Sequence, residues 1–177
     1  MDGVHVRAAR EGDLEQLAEI HASAYPEPGG YERHARRLTH NAFGGLDCIR
    51  VAERDGAIVG QAALFRLELW LGGRAVPTGG IGSLAVAPEA RRQHVGSALL
   101  EALHREIASD GGALALLYPF RQRYYSRLGY AAVSPLLTLE IASDAFETLP
   151  SSDADAFSAV RIDAPRIDPN EIGRAHV

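Results

Sequence analysis

The stretch Leu84–Leu100, LAVAPEARRQHVGSALL, concentrates the residues of this chain that could do chemistry. An apolar strand pattern stops at Pro88. Arg91, Arg92, Gln93 and His94 follow, and an apolar pattern at helical spacing continues from Val95. The first turn of a helix has main-chain N–H groups with no partner inside the helix. They sit at the positive end of the helix dipole, so an anion such as a phosphate is well placed there. Arg91 and Arg92 add full positive charges. Gly96 leaves room for close approach by a ligand or a neighbouring backbone, and Ser97 can add a hydroxyl. The plainer alternative is an arginine-rich surface helix start with a glycine for packing. No GxxxxGK[ST] or GxGxxG pattern is present, so neither of those nucleotide loops is expected.

Composition narrows the chemistry. The chain has 177 residues and a net charge of −5, so no overall basic field points to nucleic acid. All 18 basic residues are arginine, which excludes a catalytic lysine. The single cysteine, Cys48, cannot form an intrachain disulfide or a cysteine-cluster metal site, and it is expected to be a buried thiol in a strand. No histidine pair stands with an acid at metal-ligand spacing, so no metal is expected. The opening MDGVHVRAAREGD carries no apolar run, and no stretch of about 18 apolar residues occurs anywhere. A cytoplasmic protein that does not enter a membrane is expected.

These residues need elements to position them. The pattern predicts strands over Val4–Arg7, Asp47–Arg54, Ala57–Leu64 continuing towards Leu71, Arg74–Thr78 and Ile81–Val86. Ala113–Tyr118 is a continuous apolar run expected to be a buried strand, and Tyr130–Val133 and Leu136–Ile141 complete the set. Asp55-Gly56 is a two-residue hairpin signal, and Gly72-Gly73 gives another turn. Helices are expected over Gly12–Ala24, Tyr31–Phe43, about Arg91–Ser109 and Arg121–Leu128, the last capped by Gly129. Val95, Leu99, Leu103 and Ile107 lie four apart on one face of the third helix.

Val86-Ala87-Pro88 followed by Arg91-Arg92-Gln93-His94-Val95-Gly96 resembles the signature of the GCN5-related N-acetyltransferases. In that family a strand ending V-x-P leads into R/Q-x-x-G-x-G/A at a helix start. His94 stands where the first glycine is expected, which places a side chain at a position where that family has none. Leu117-Tyr118-Pro119-Phe120 and the run Arg123–Tyr130 look like the second half of the same core. The segment Gly72–Ser134, with VPTGGIGSLAVAP, resembles the Eis branch of the family.

The resemblance implies an α/β acyl-coenzyme A N-acyltransferase fold, a mixed sheet of six to seven strands with flanking helices. It implies acetyl-coenzyme A as co-substrate, bound by Leu84, Ala85 and Val86 and by Arg91, Arg92, Gln93, His94, Val95, Gly96 and Ser97. The strands Ile81–Val86 and Ala113–Tyr118 would splay to admit the pantetheine arm. The acceptor would be a primary amine, either a small cationic one or a lysine-like group, and Tyr125 would be the general acid. A phenol near pKa 10 gives its proton uphill to a thiolate whose acid is near 8.5, so hydrogen bonding to the leaving sulfur is the effect to expect. Glu68, His21, His34 or an ordered water are the local candidates for a base, while His5, His40 and His104 are expected at the surface. The alternative reading is a non-catalytic acyl-coenzyme A sensor. Residues 1–143 are expected to be the acetyltransferase domain, and 144–170 a linker or the start of a truncated second domain. Residues 171–177, EIGRAHV, equal the in-frame translation of GAGATCGGAAGAGCACACGTC, a common sequencing-adapter read, and are expected to be a non-native tail. The full-length protein is expected to form a homo-oligomer.

Overall fold

Asp55 and Gly56 both take positive φ, 51° and 76°, as a tight two-residue hairpin turn demands. They join β2 (Ile49–Arg54) to β3 (Ala57–Leu71), and Gly72-Gly73 then turns the chain into β4 (Arg74–Val86). A computed structural model describes residues 3–41 and 43–133. The chain divides into two units, Met1–Gly129 and Tyr130–Val177, and the described part of the second has no regular structure. The remaining elements are β1 (His5–Ala8), α1 (Leu14–Ala24), α2 (Gly30–Thr39), α3 (Val95–Ser109), β5 (Leu114–Leu117) and α4 (Gln122–Ser126).

The described strands form one mixed sheet in the order β1-β2-β3-β4-β5. Neighbours among the first four are antiparallel, and β5 runs parallel to β4. Five strands are thus present among the described residues, against the six to seven expected. Two separate strands were expected on either side of Gly79-Gly80, but β4 is continuous for 13 residues. These glycines serve packing rather than a turn. A Cβ on Gly79 would fall inside the side chain of Ile107 on α3, and a Cβ on Gly80 would fall against Leu67 on the opposite face. Tyr130–Val133 makes no ladder and does not form the expected strand; Val133 is largely exposed, with no strand among the described residues to pair with it. Leu136–Ile141 and residues 144–177 lie outside the described residues. β5 is shorter and more open than the buried strand expected there, because no described strand lies along its outer side, and Tyr118 is exposed.

Alternation along β3 sorts the two faces of the sheet. Gly60 and Leu64 face α3, since a Cβ on Gly60 would meet Val95 and Leu99, and Leu64 shares the space of Gly79 with Ile107. Phe65 faces the other way and packs on Phe43, just beyond α2 (ring centroids 5.1 Å). The helix pair therefore covers one face and α3 the other. Val95, Leu99, Leu103 and Ile107 are all buried, as their spacing predicts. Glu106 anchors α3 to the sheet by accepting hydrogen bonds from Arg50 (2.8 Å and 2.5 Å) and Arg66 (3.1 Å). The Arg50 guanidinium holds the Glu106 carboxyl below its ordinary range. Cys48 is buried as expected, but in a 3-10 turn (Leu46–Cys48) before β2 rather than in the strand.

Candidate active site

The expected helix start at Arg91 is displaced to Val95, and the four residues before it form an irregular turn. Arg91 is extended, and Arg92 and His94 both have φ of 63°. Gln93 and Val95 lie at negative φ, since the described non-glycine residues with positive φ are Asp55, Ser83, Arg92 and His94. Alternating signs of φ turn successive N–H groups towards one concave side, the backbone geometry of a nest. It leads directly into the first turn of α3. There the N–H groups of Val95, Gly96 and Ser97 have no acceptor in the helix, and none reaches them from elsewhere in the described chain.

Side chains brace this turn from outside. The Gln93 amide donates to the carbonyl of Glu89 (2.7 Å) and accepts from Arg54 (2.5 Å). Arg91 donates to the carbonyls of Val86 (3.2 Å) and Ser23 (3.4 Å). Arg92 and His94 are exposed, and the Val95 side chain is in the core, so only its main chain faces the turn. The space that Gly96 leaves is used by Tyr124, whose hydroxyl would lie 2.8 Å from a Cβ there. A left-handed residue other than glycine costs about 1–2 kcal/mol, although histidine tolerates the region better than most. Replacing His94 by glycine is therefore expected to stabilise the fold by about 1 kcal/mol, offset in part by the added freedom of glycine in the unfolded chain. A thermal melt should show a rise of about 2–4 °C; a fall would contradict the strain.

Beside this turn the sheet opens. β4 pairs with β5 only over Thr78–Ile81, opposite Leu114–Leu117. From Gly82 to Val86, β4 has no partner on that side among the described residues, because β5 ends at Leu117. Ser83 has φ of 47°. The β3 ladder passes from Gly82↔Ala63 to Ala85↔Gln61, so Ser83 and Leu84 oppose Ala62 as a bulge. Leu84, Ala85 and Val86 thus lie on the stretch of β4 that β5 leaves without a ladder, and this stretch leads on towards the α3 turn. α4 carries Tyr124 and Tyr125. Tyr125 is 4% exposed and meets the rings of Tyr124 and Phe120 edge-on, with centroids at 5.0 and 5.8 Å. Nothing in the sequence pattern marks Tyr25, yet its hydroxyl donates to the carbonyl of Leu84 at 3.1 Å. The two residues are 59 positions apart, and no local signal reports such a contact.

The base candidates fall in two places. Glu68 pairs across the ladder with Pro77, at the end of β4 remote from the opening. From Pro77 to Gly82 an extended chain covers about 16 Å. His21 and His34 are buried between α1 and α2, with their Nδ1 atoms 2.9 Å apart. One Nδ1 must be unprotonated to accept this bond. Burial, then the neighbouring His34 and Arg37, push His21 down from its ordinary 6.5 to about 4, with Glu27 opposing. The unfolded chain then takes up a proton before the folded one does. Stability from this group is complete above pH 6.5 and is lost as pH falls towards 4, by about 2–3 kcal/mol. Urea midpoints across that window should show the slope in the wild type, and its His21-dependent part should be absent in His21→Leu. A wild-type midpoint flat from pH 7 to 4 would contradict it.

Among the described residues no group of three or more His, Cys, Asp or Glu could hold a metal ion. No described helix is long and apolar enough to cross a membrane.

A family profile described as "Acetyltransferase (GNAT) domain" matches residues 5–133. The chain belongs to the GNAT acetyltransferase family. The match covers the turn, the opening and α4 together. Within the family, this GNAT chain is 37% identical over 97 residues to the N-acetyltransferase Eis of Mycobacterium tuberculosis, covering 51% of this chain and 24% of that protein. The chain thus spans about a quarter of the length of the curated relatives it matches. A solved GCN5-related N-acetyltransferase from Anabaena variabilis shares 27% identity at a TM-score of 0.62, over 71% of this chain and 31% of that one. Eis1 from Mycobacterium abscessus shares the fold at 22% identity and a TM-score of 0.59, over 72% and 31% of the two chains. The GNAT fold expected from the resemblance is therefore the fold of this chain, and its Eis-like relatives are those the sequence points to.

Proposed function

We propose that this GNAT chain is the acetyltransferase domain of an Eis-like protein and moves an acetyl group from acetyl-coenzyme A to a primary amine. The observation that carries the reading is the junction of two features: the nest ending in unpaired N–H groups at Val95–Ser97, and the unpaired edge of β4 over Gly82–Val86. A diphosphate fits the first, because it offers acceptor oxygens to donors that have none. An amide-bearing arm fits the second through main-chain groups that β5 leaves unpaired, including the remaining lone pairs of the Leu84 and Val86 carbonyls, each of which already accepts one bond, from Tyr25 and Arg91.

Leu84, Ala85 and Val86 bind the arm through main-chain atoms in this reading. Gln93–Ser97 bind the diphosphate through main-chain N–H groups, with Arg92 adding charge from the surface. Arg91 acts mainly by tying this turn to β4 and to the end of α1. The co-substrate supplies an activated acyl group as a thioester. The protein orients it, and Tyr125 donates a hydrogen bond to the departing sulfur. The acceptor is a small cationic amine or a lysine-like group, and a neutral amine is the attacking form. Residues 1–143 form this domain, the expected location is the cytoplasm, and the longer protein assembles as a homo-oligomer.

Calorimetry with acetyl-coenzyme A, paired with thiol release over a panel of diamines, polyamines and lysine peptides, tests the reading. Saturable binding and amine-dependent release are expected. Binding without release for every amine would favour the sensor reading, and absence of binding would overturn both.

A further inference from the structure

The bulge in β4 leaves a carbonyl to be satisfied. Ser83 and Leu84 have no partners on β3, because the ladder steps over them. A half-buried carbonyl shed from a ladder needs another donor. It can regain one by strand slippage that closes the bulge, or by taking an N–H from whatever enters the opening. Tyr25, which closes α1, supplies that donor within the chain, since its phenol O–H donates to the Leu84 carbonyl at 3.1 Å. The peptide between Leu84 and Ala85 is planar. The Leu84 carbonyl and the Ala85 N–H point to opposite sides of it, so the Tyr25 bond on one side and the pairing of Ala85 with Gln61 on the other fix one orientation.

Tyr25 is itself held in place. One turn earlier, the His21 ring stacks on it with centroids 4.7 Å apart and planes at 30°. His21 is in turn bonded to His34 on α2. Arg91 makes a second connection from the same region, donating to Ser23 near the end of α1 and to Val86 at the end of β4. The end of α1 is thus tied to β4 at Leu84 and at Val86, on either side of Ala85.

We propose that Tyr25 is a positioning residue of the acyl site: it holds the Leu84–Ala85 peptide in one orientation, so that the main-chain groups along the β4–β5 opening are set before the thioester arrives. The inference rests on the reading that the thioester arm lies along β4. Tyr25→Phe keeps the ring that stacks on His21 and removes only the donor. It should melt within a few degrees of the wild type. Thiol release should fall about 10-fold, while affinity and KM for acetyl-coenzyme A stay within about twofold, because a misplaced reacting group costs rate rather than binding. Hydrogen exchange should quicken at Leu84–Val86 and stay unchanged at Thr78–Ile81, where β5 pairs.

Undiminished thiol release would overturn the proposal. So would unchanged exchange at Leu84–Val86, or equal loosening at Thr78–Ile81, which would mark a general loss of rigidity. A wild-type chain that fails to bind acetyl-coenzyme A would sink the functional reading instead. The exchange comparison would then still decide whether Tyr25 holds the bulge.

Discussion

Replacing Tyr125 by phenylalanine is expected to lower turnover about 100-fold and to change acetyl-coenzyme A affinity by less than about twofold. The factor corresponds to about 2.7 kcal/mol of transition-state stabilisation. It lies at the low end for acid catalysis because a phenol is a weaker acid than the thiol it would protonate. Its contribution is then mostly a hydrogen bond to developing thiolate charge. Tyr125 is 4% exposed and held edge-on against Phe120 and Tyr124, surroundings in which water competes little for a hydrogen bond. Phenylalanine preserves those ring contacts, so the melting temperature should stay close to that of the wild type. Steady-state thiol release and calorimetry on the same preparations separate rate from binding. Full turnover in Tyr125→Phe would remove the proposed role.

Gly79→Val is expected to destabilise the fold by about 3 kcal/mol or more, from overpacking against α3. Gly79 faces Ile107, and even a Cβ would lie inside the volume that Ile107 fills, with the Leu64 Cδ1 at 3.2 Å. Ile107 has little room to move, since Gly112 presses on it from the end of α3 and it is 6% exposed. Shortening Ile107 to alanine in the Gly79→Val chain should recover part of the loss, with a coupling of about 1–2 kcal/mol in a double-mutant cycle. Urea denaturation of the four proteins measures it. Simple additivity would mean that the two positions do not compete for the same space.

The period of the α3 face was legible because it is local. Leucines and valines four apart bury together whatever lies opposite them. The hairpin at Asp55-Gly56 was legible for a similar reason, since the backbone geometry of a two-residue turn selects those residue types. The start of α3 was not legible. Arg91–His94 are acceptable helix formers, but Arg92 and His94 are left-handed. Gln93 is braced by Arg54, and Arg91 by the Val86 and Ser23 carbonyls, through contacts that no window of sequence contains. The glycines of VPTGGIGSLAV read as a break, yet they are close-approach positions in a continuous strand, because Ile107 and Leu67 occupy the space on either face.

By itself the sequence determined that a strand hands over to a helix after Pro88, that this chain has no lysine to do chemistry, and which face of α3 is buried. These follow from residue types and short-range spacing. The tertiary structure alone decided that the nest is formed by left-handed Arg92 and His94, and that β4 bulges at Ser83-Leu84 and has no β5 partner after Ile81. It also decided that Tyr25 reaches the bulge and that His21 meets His34 in the core. Each depends on groups brought together from distant parts of the chain, and only the packing of the elements fixes which donor meets which acceptor.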